Sequence, residues 1–186
     1  MTKVIVNEML KSMSGRYGEK HVFRDFAGNT IVAKRPTLNG ESSVGQEAHR
    51  GFFREAIKFA TFTKDDPAKW AKYVSRHVPG RSAFNLAVSD FMCPPVIEQI
   101  DASQYMGHVG DKIIVTAVDK FEVTGVEVRI TGHDGTLIEE GVALRHENTS
   151  FYAYVSTREN STRAGTVLTV TASDNPGHSV TATETL

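Results

Sequence analysis

The spacing of apolar residues changes at Pro94-Pro95, and no single type of secondary structure accommodates both patterns. Ahead of that point Phe52, Phe53, Ala56, Ile57, Phe59 and Ala60 recur every three or four positions, as on one face of a helix. Beyond it the pattern alternates. Val126, Val128 and Ile130 stand against Glu127, Arg129 and Thr131, and Val167, Thr169 and Thr171 against Leu168, Val170 and Ala172. A helical period buries a stripe, whereas alternation buries one side of a sheet. The expected organisation is therefore an α+β part over residues 1–92 and an all-β sandwich over 95–186.

Charge divides along the same line. Residues 1–92 carry 15 Lys/Arg against 9 Asp/Glu, a balance of +6, and residues 93–186 carry 6 against 13, a balance of −7. The net charge of −1 conceals this.

In the first part, alternation over 16–35 around Ala27-Gly28-Asn29 predicts a hairpin ended by Pro36. Ser43 with Gln46 forms a capping box that opens a helix, in which each side chain satisfies a free backbone N–H. Asp66-Pro67 opens a second helix carrying Trp70, Tyr73 and Val74, and Pro79-Gly80 stops it. A third is expected at 82–91, burying Ala83, Phe84, Ala87, Val88 and Phe91. A hairpin with two or three short helices makes a thin core, and a two-stranded ribbon is not stable alone in water.

The second part contains about seven strand candidates, at 96–101, 111–119, 123–131, 136–144, 150–156, 166–173 and 178–184. Short strands at this spacing with polar, glycine-marked turns predict an antiparallel sandwich. The stretch Leu168 to Ala172, Ser173-Asp174-Asn175-Pro176-Gly177-His178, then Ser179-Val180-Thr181, resembles the last hairpin of bacterial immunoglobulin-like domains. Lys112 to Asp119 and Val123 to Ile130 fit the same layout. The resemblance implies an immunoglobulin-like sandwich of about seven strands in which Asp174 turns back onto the loop amides and Gly177 relieves the turn. His178 replaces the family's usual Asn, at the cost of one side-chain hydrogen-bonding option. Gly18, Val22-Phe23-Arg24, Gly28, Val32, Lys34-Arg35-Pro36 and Gln46, His49, Arg50, Phe53 resemble a family of small bacterial proteins of unknown function. That likeness implies a shared fold over 15–65 and no chemistry.

No phosphate loop, dinucleotide fingerprint, zincin motif or nucleophile elbow occurs, so no enzymatic activity and no cofactor are expected. The single Cys93 excludes an internal disulfide and has no basic neighbour in sequence, as an incidental thiol would. Seven histidines (His21, His49, His77, His108, His133, His146 and His178) lack metal-ligand spacing. Asp101, Asp119, Asp134 and Asp174 near strand ends read as loop caps, with calcium or carbohydrate binding by the sandwich loops as the competing reading.

Candidate interaction residues are Lys34, Arg35, Arg50, Arg54, Lys58, Tyr152 and Tyr154. Arg50, Arg54 and Lys58 recur every fourth residue, a basic stripe fit for a protein or for nucleic-acid phosphates. Tyr152 and Tyr154 share one side of a strand, and Phe151 and Ala153 the other. The leading expectation is a structural or protein-interaction protein, self-associating or built into a larger phage-like or tail-like particle. Nucleic-acid binding is the alternative. No apolar run reaches membrane-spanning length, and Val4-Ile5-Val6 is too short for a signal-peptide core, so a cytoplasmic location is expected.

Overall fold

A computed structural model describes residues 2–3, 13–26, 28–36, 41–76, 79–147 and 149–186. The expectations attached to Val4-Ile5-Val6, Ala27 and His77 fall outside the described residues. Among the described residues, three helices and several antiparallel sheets give mixed α+β content. The chain divides into two compact units, 1–86 and 87–186.

The first unit contains strands β1 (Thr2–Lys3), β2 (Gly15–Tyr17), β3 (His21–Phe26) and β4 (Asn29–Lys34) in the antiparallel order β1-β4-β3-β2. The predicted hairpin is β3–β4, in register from His21↔Lys34 to Phe26↔Asn29. Gly28 takes a φ of 75° in the turn, and Asp25 Oδ1 accepts its N–H at 3.3 Å. Two short flanking strands widen the ribbon to four, which is how it escapes being an isolated hairpin. Tyr17 meets Phe23 edge-on, with ring centroids 5.5 Å apart.

Helix α1 (Val44–Lys64) starts at the capping box expected from sequence, with Ser43 accepting from Gln46 N–H and Gln46 Oε1 from Ser43 N–H. Helix α2 (Pro67–Ser75) follows after Asp65 and Asp66, and Asp66 Oδ1 caps the amides of Ala68 and Lys69. Among the described residues of this unit, Phe23, Ala56, Ala60 and Tyr73 are buried, as are Thr30 and Thr63.

Helix α3 (Ala83–Phe91) opens at Ser82, whose Oγ accepts from Asn85 N–H. Ala87 and Val88 are buried as expected, while Ala83, Phe84 and Phe91 are only half-buried. Asp90 is buried as well, at 1% exposure. The division between the units falls inside this helix, ahead of Pro94-Pro95. Its last turn lies with the sheets: Phe91 meets His178 with ring centroids 4.5 Å apart.

The second unit has strands β5 (Val96–Asp101), β6 (Lys112–Val118), β7 (Val123–Thr131), β8 (Leu137–Val142), β9 (Leu144–Arg145), β10 (Phe151–Val155), β11 (Val167–Asp174) and β12 (Ser179–Thr185). They form two antiparallel sheets, β5-β6-β10-β9 and β12-β11-β7-β8. Seven candidate segments become eight strands because 136–144 divides at Ala143: β8 pairs with β7, and β9 pairs with β10 of the other sheet. Inward residues of both sheets join one buried cluster, including Ile113, Val115, Val126, Val128, Ile130, Tyr152, Tyr154, Leu168 and Val170. Among the described residues, no helix is long and apolar enough to cross a membrane.

Candidate functional site

Helix α1 buries only a narrow strip of small residues, Ala56, Ala60 and Thr63. The helix packs against α2, whose Tyr73 is fully buried. A helical wheel places Phe53 and Ile57 on one flank of the strip and Phe52 and Phe59 on the other. The sequence predicts all of these as core, but Phe53 is 45% exposed, Ile57 38% and Phe52 36%. Small residues admit a close neighbouring helix, and Phe53 and Ile57 beside them stay more than a third exposed.

Arg50, Arg54 and Lys58 lie next to the Phe53–Ile57 flank, and all three are exposed. A shallow groove of about 860 Å³ is lined, among the described residues, by Glu47, His49, Arg50, Phe53 and Arg54. The stripe is already partly neutralised. Lys58 Nζ lies 2.9 Å from Glu55 Oε1, Glu47 lines the groove with the arginines, and Arg50 donates to Ser42 Oγ. Lys34 and Arg35, also exposed, end β4, where Arg35 N–H extends the ladder to Lys20 O at 2.8 Å. The structure thus gathers Arg50, Arg54 and Lys58 on one helix and places Lys34 and Arg35 on the sheet.

Tyr152 and Tyr154 are not surface residues. Each is 4% exposed, because β10 pairs with β6 in the register Tyr152↔Val115 and Tyr154↔Ile113, which turns both into the core. Their hydroxyls reach the core's polar margin, Tyr152 donating to Val123 O at 3.4 Å. Burial, and then the negative Glu139 nearby, push the Tyr154 phenol up to about 12. The outward partner Phe151 is 49% exposed.

Glu139 is a buried carboxylate that sequence reading overlooked. It faces inward from β8 and accepts from Ser156 Oγ at 2.6 Å and from Thr157 N–H and Oγ1 at 2.8 Å each. Burial favours its neutral form, but these hydrogen bonds prevail and hold its pKa below the usual carboxylate range. The group ties β8 of one sheet to the end of β10 in the other. All its hydrogen bonds go to its own fold.

The aspartates near strand ends each serve their own turn. Asp101 accepts from Ser103 N–H, Asp119 from Phe121 and Glu122, Asp134 from Thr136, and Asp174 from Gly177 and His178. His178 gains a bond rather than losing one: its Nδ1 lies 2.8 Å from Asp174 Oδ2. Among the described residues, no group of three or more His, Cys, Asp or Glu is placed to hold a metal ion. Cys93 does have a basic neighbour, contrary to its local sequence. Lys120, brought in from the β6–β7 connection, places Nζ 3.8 Å from Sγ while donating to Ser89 Oγ at 2.8 Å.

Comparison of the chain with protein-family models, curated proteins and solved structures finds no match in any of the three.

Proposed function

We propose that this chain is a non-catalytic protein-association module, a component of a larger assembly, which docks through the Phe53–Ile57 flank of α1 and its neighbouring basic stripe. One observation carries this reading: a 21-residue helix buries two alanines and a threonine while Phe53 and Ile57 stay more than a third exposed. Aromatic and arginine side chains on one surface suit a protein interface, where both are enriched. Nucleic acid is the weaker reading, because Glu47 and Glu55 interrupt the positive field that phosphates require.

The second unit is read as an immunoglobulin-like sandwich serving as spacer or platform. The support is its strand order: two antiparallel sheets share one core, with a chain segment crossing between them at Ala143. Such a fold fixes no activity by itself.

Light scattering of the full chain, with affinity capture from its host, tests the association. A mass above the monomer, or a captured partner, weakened by Phe53→Glu with Ile57→Glu, is the expected result. A monomer at high concentration with no partner, or association indifferent to those substitutions, overturns the reading.

A further inference from the structure

Strand edges expose unpaired N–H and C=O groups, and folded proteins protect them with short strands, bulges or charges. Most sheet edges here follow that rule. β1, β2 and β9 are two or three residues long. β5 carries a register shift at Ile97/Gln99 together with Glu98, and β8 opposes a shift at Ile130/Thr131 and carries Glu139 and Glu140. β12 is the least protected of them. It pairs with β11 in unbroken register from Ser179 to Thr185, lacks Pro, Gly, Lys and Arg, and has Glu184 as its only charge.

The ladder bonds at the two ends of β12 fix which of its groups face away from β11. Leu186 N–H donates to Thr166 O, and His178 O accepts from Asp174 N–H. Hydrogen-bonded positions alternate along an antiparallel pair. Val180, Ala182 and Glu184 therefore direct their backbone groups at β11, and Ser179, Thr181, Thr183 and Thr185 direct theirs away. These four side chains are exposed, and beside the strand lies an open groove of about 310 Å³ bounded by Ile97–Ile100 and Ala182–Glu184.

We propose that β12 pairs antiparallel with β12 of a second copy of this chain, about a two-fold axis at Ala182. The strand complements itself. Antiparallel pairing about Ala182 sets Thr181 opposite Thr183 and Ser179 opposite Thr185, so every free position meets a free position. It sets Glu184 opposite Val180, so the single charge never faces its own copy. The outer hydroxyl row, already begun by Thr171 and Thr181 with Oγ1 atoms 3.2 Å apart, continues across the junction. The two four-stranded sheets become one of eight strands. This contact is independent of the surface on α1.

Sedimentation of the full chain over a range of concentrations tests it. Wild type is expected to pass from monomer to dimer, with the amides of Thr181 and Thr183 gaining hydrogen-exchange protection as the dimer forms. Thr183→Pro removes an outward N–H that the chain's own ladder does not use. It should weaken the dimer by about tenfold or more and leave the melting temperature nearly unchanged. Should that variant fold poorly, Thr181→Lys with Thr183→Lys places lysines opposite one another across the axis at solvent-facing positions, and the same loss is expected. A wild type that stays monomeric throughout overturns the proposal, as do edge variants that dimerise like wild type. A dimer abolished by Phe53→Glu with Ile57→Glu but untouched by the edge variants also overturns it, while leaving the α1 reading intact.

Discussion

The two units dispose of their apolar residues in opposite ways. In the second, Ile113, Val115, Val126, Val128, Ile130, Leu168 and Val170 are all at 0% exposure, sealed between two sheets. In the first, the fully buried set among the described residues is Ala56, Ala60 and Tyr73, while Val44, Phe53, Ile57 and Phe62 range from 38% to 86% exposed. Burying a Val, Leu or Ile side chain contributes about 1.5–3 kcal/mol, and an alanine methyl far less. Alternating strands can close on a second sheet made by the same chain. A single apolar helix stripe must find its cover elsewhere, and α1 finds enough for only three residues.

The largest expected consequence is a difference in local stability. Amides of β6, β7 and β11 should exchange about a thousandfold more slowly than those of α1, β3 and β4, equivalent to about 4 kcal/mol. Hydrogen exchange followed by mass spectrometry measures this. Equal protection in the two units would break the comparison.

A smaller effect should come from Gly107, in the β5–β6 loop of the second unit. Its φ is 99°, and a Cβ there would lie 2.3 Å from the backbone oxygen of Asn160. Asn160 binds this loop closely: its N–H donates to Gly107 O at 2.8 Å, and its Nδ2 to Tyr105 Oη at 3.2 Å and Thr166 Oγ1 at 2.8 Å. Gly107→Ala should cost about 3 kcal/mol, combining a disfavoured backbone with a clash against main chain. Trp70, the only tryptophan, reports on the first unit alone. In urea its fluorescence transition should stay in place while the β-sheet circular dichroism transition moves to lower denaturant. A joint shift would mean that the units unfold together.

Glu139→Gln should cost the second unit about 2 kcal/mol at neutral pH, since three donors lose a charged acceptor. The folded pKa of Glu139 lies below its ordinary value of 4.5. Its stabilisation is therefore complete above that value and disappears as pH falls through the folded pKa. Thermal melts from neutral to acid pH should show wild type losing this increment and the variant lacking that part of the acid limb. Parallel curves would remove Glu139 from the account.

Local signals were legible in the sequence, and cross-strand ones were not. Ser43 and Gln46 cap α1 in the structure, Asp66-Pro67 starts α2, and β5 and β7 occupy 96–101 and 123–131. Each of these is decided by residues a few positions apart. Which side of β10 faces inward is decided by its register with β6, and aromatic content favours neither side: Tyr152 and Tyr154 went in and Phe151 out. The division of 136–144 at Ala143 likewise depends on two different partners, β7 and β10. Lys120 reaches Cys93 across 27 positions, and nothing near Cys93 announces it. The basic stripe on α1 was legible because helical spacing alone defines it. Its neutralisation by Glu55 depends on side-chain geometry.

The smallest expected effect belongs to that stripe. Replacing Arg50, Arg54 and Lys58 with Gln should change stability by no more than about 0.5 kcal/mol, because exposed ion pairs such as Lys58–Glu55 contribute little. Gln keeps the helix propensity of the stripe nearly unchanged. The same triple variant separates the two kinds of partner. With Glu47 in the groove and Glu55 on Lys58, wild type should show no appreciable retention of duplex DNA at physiological salt, and the variant should behave identically. Binding that falls steeply with salt and vanishes in the triple variant would transfer α1 from a protein partner to a phosphate backbone. The contrast between the units would then rest on charge rather than on uncovered apolar surface.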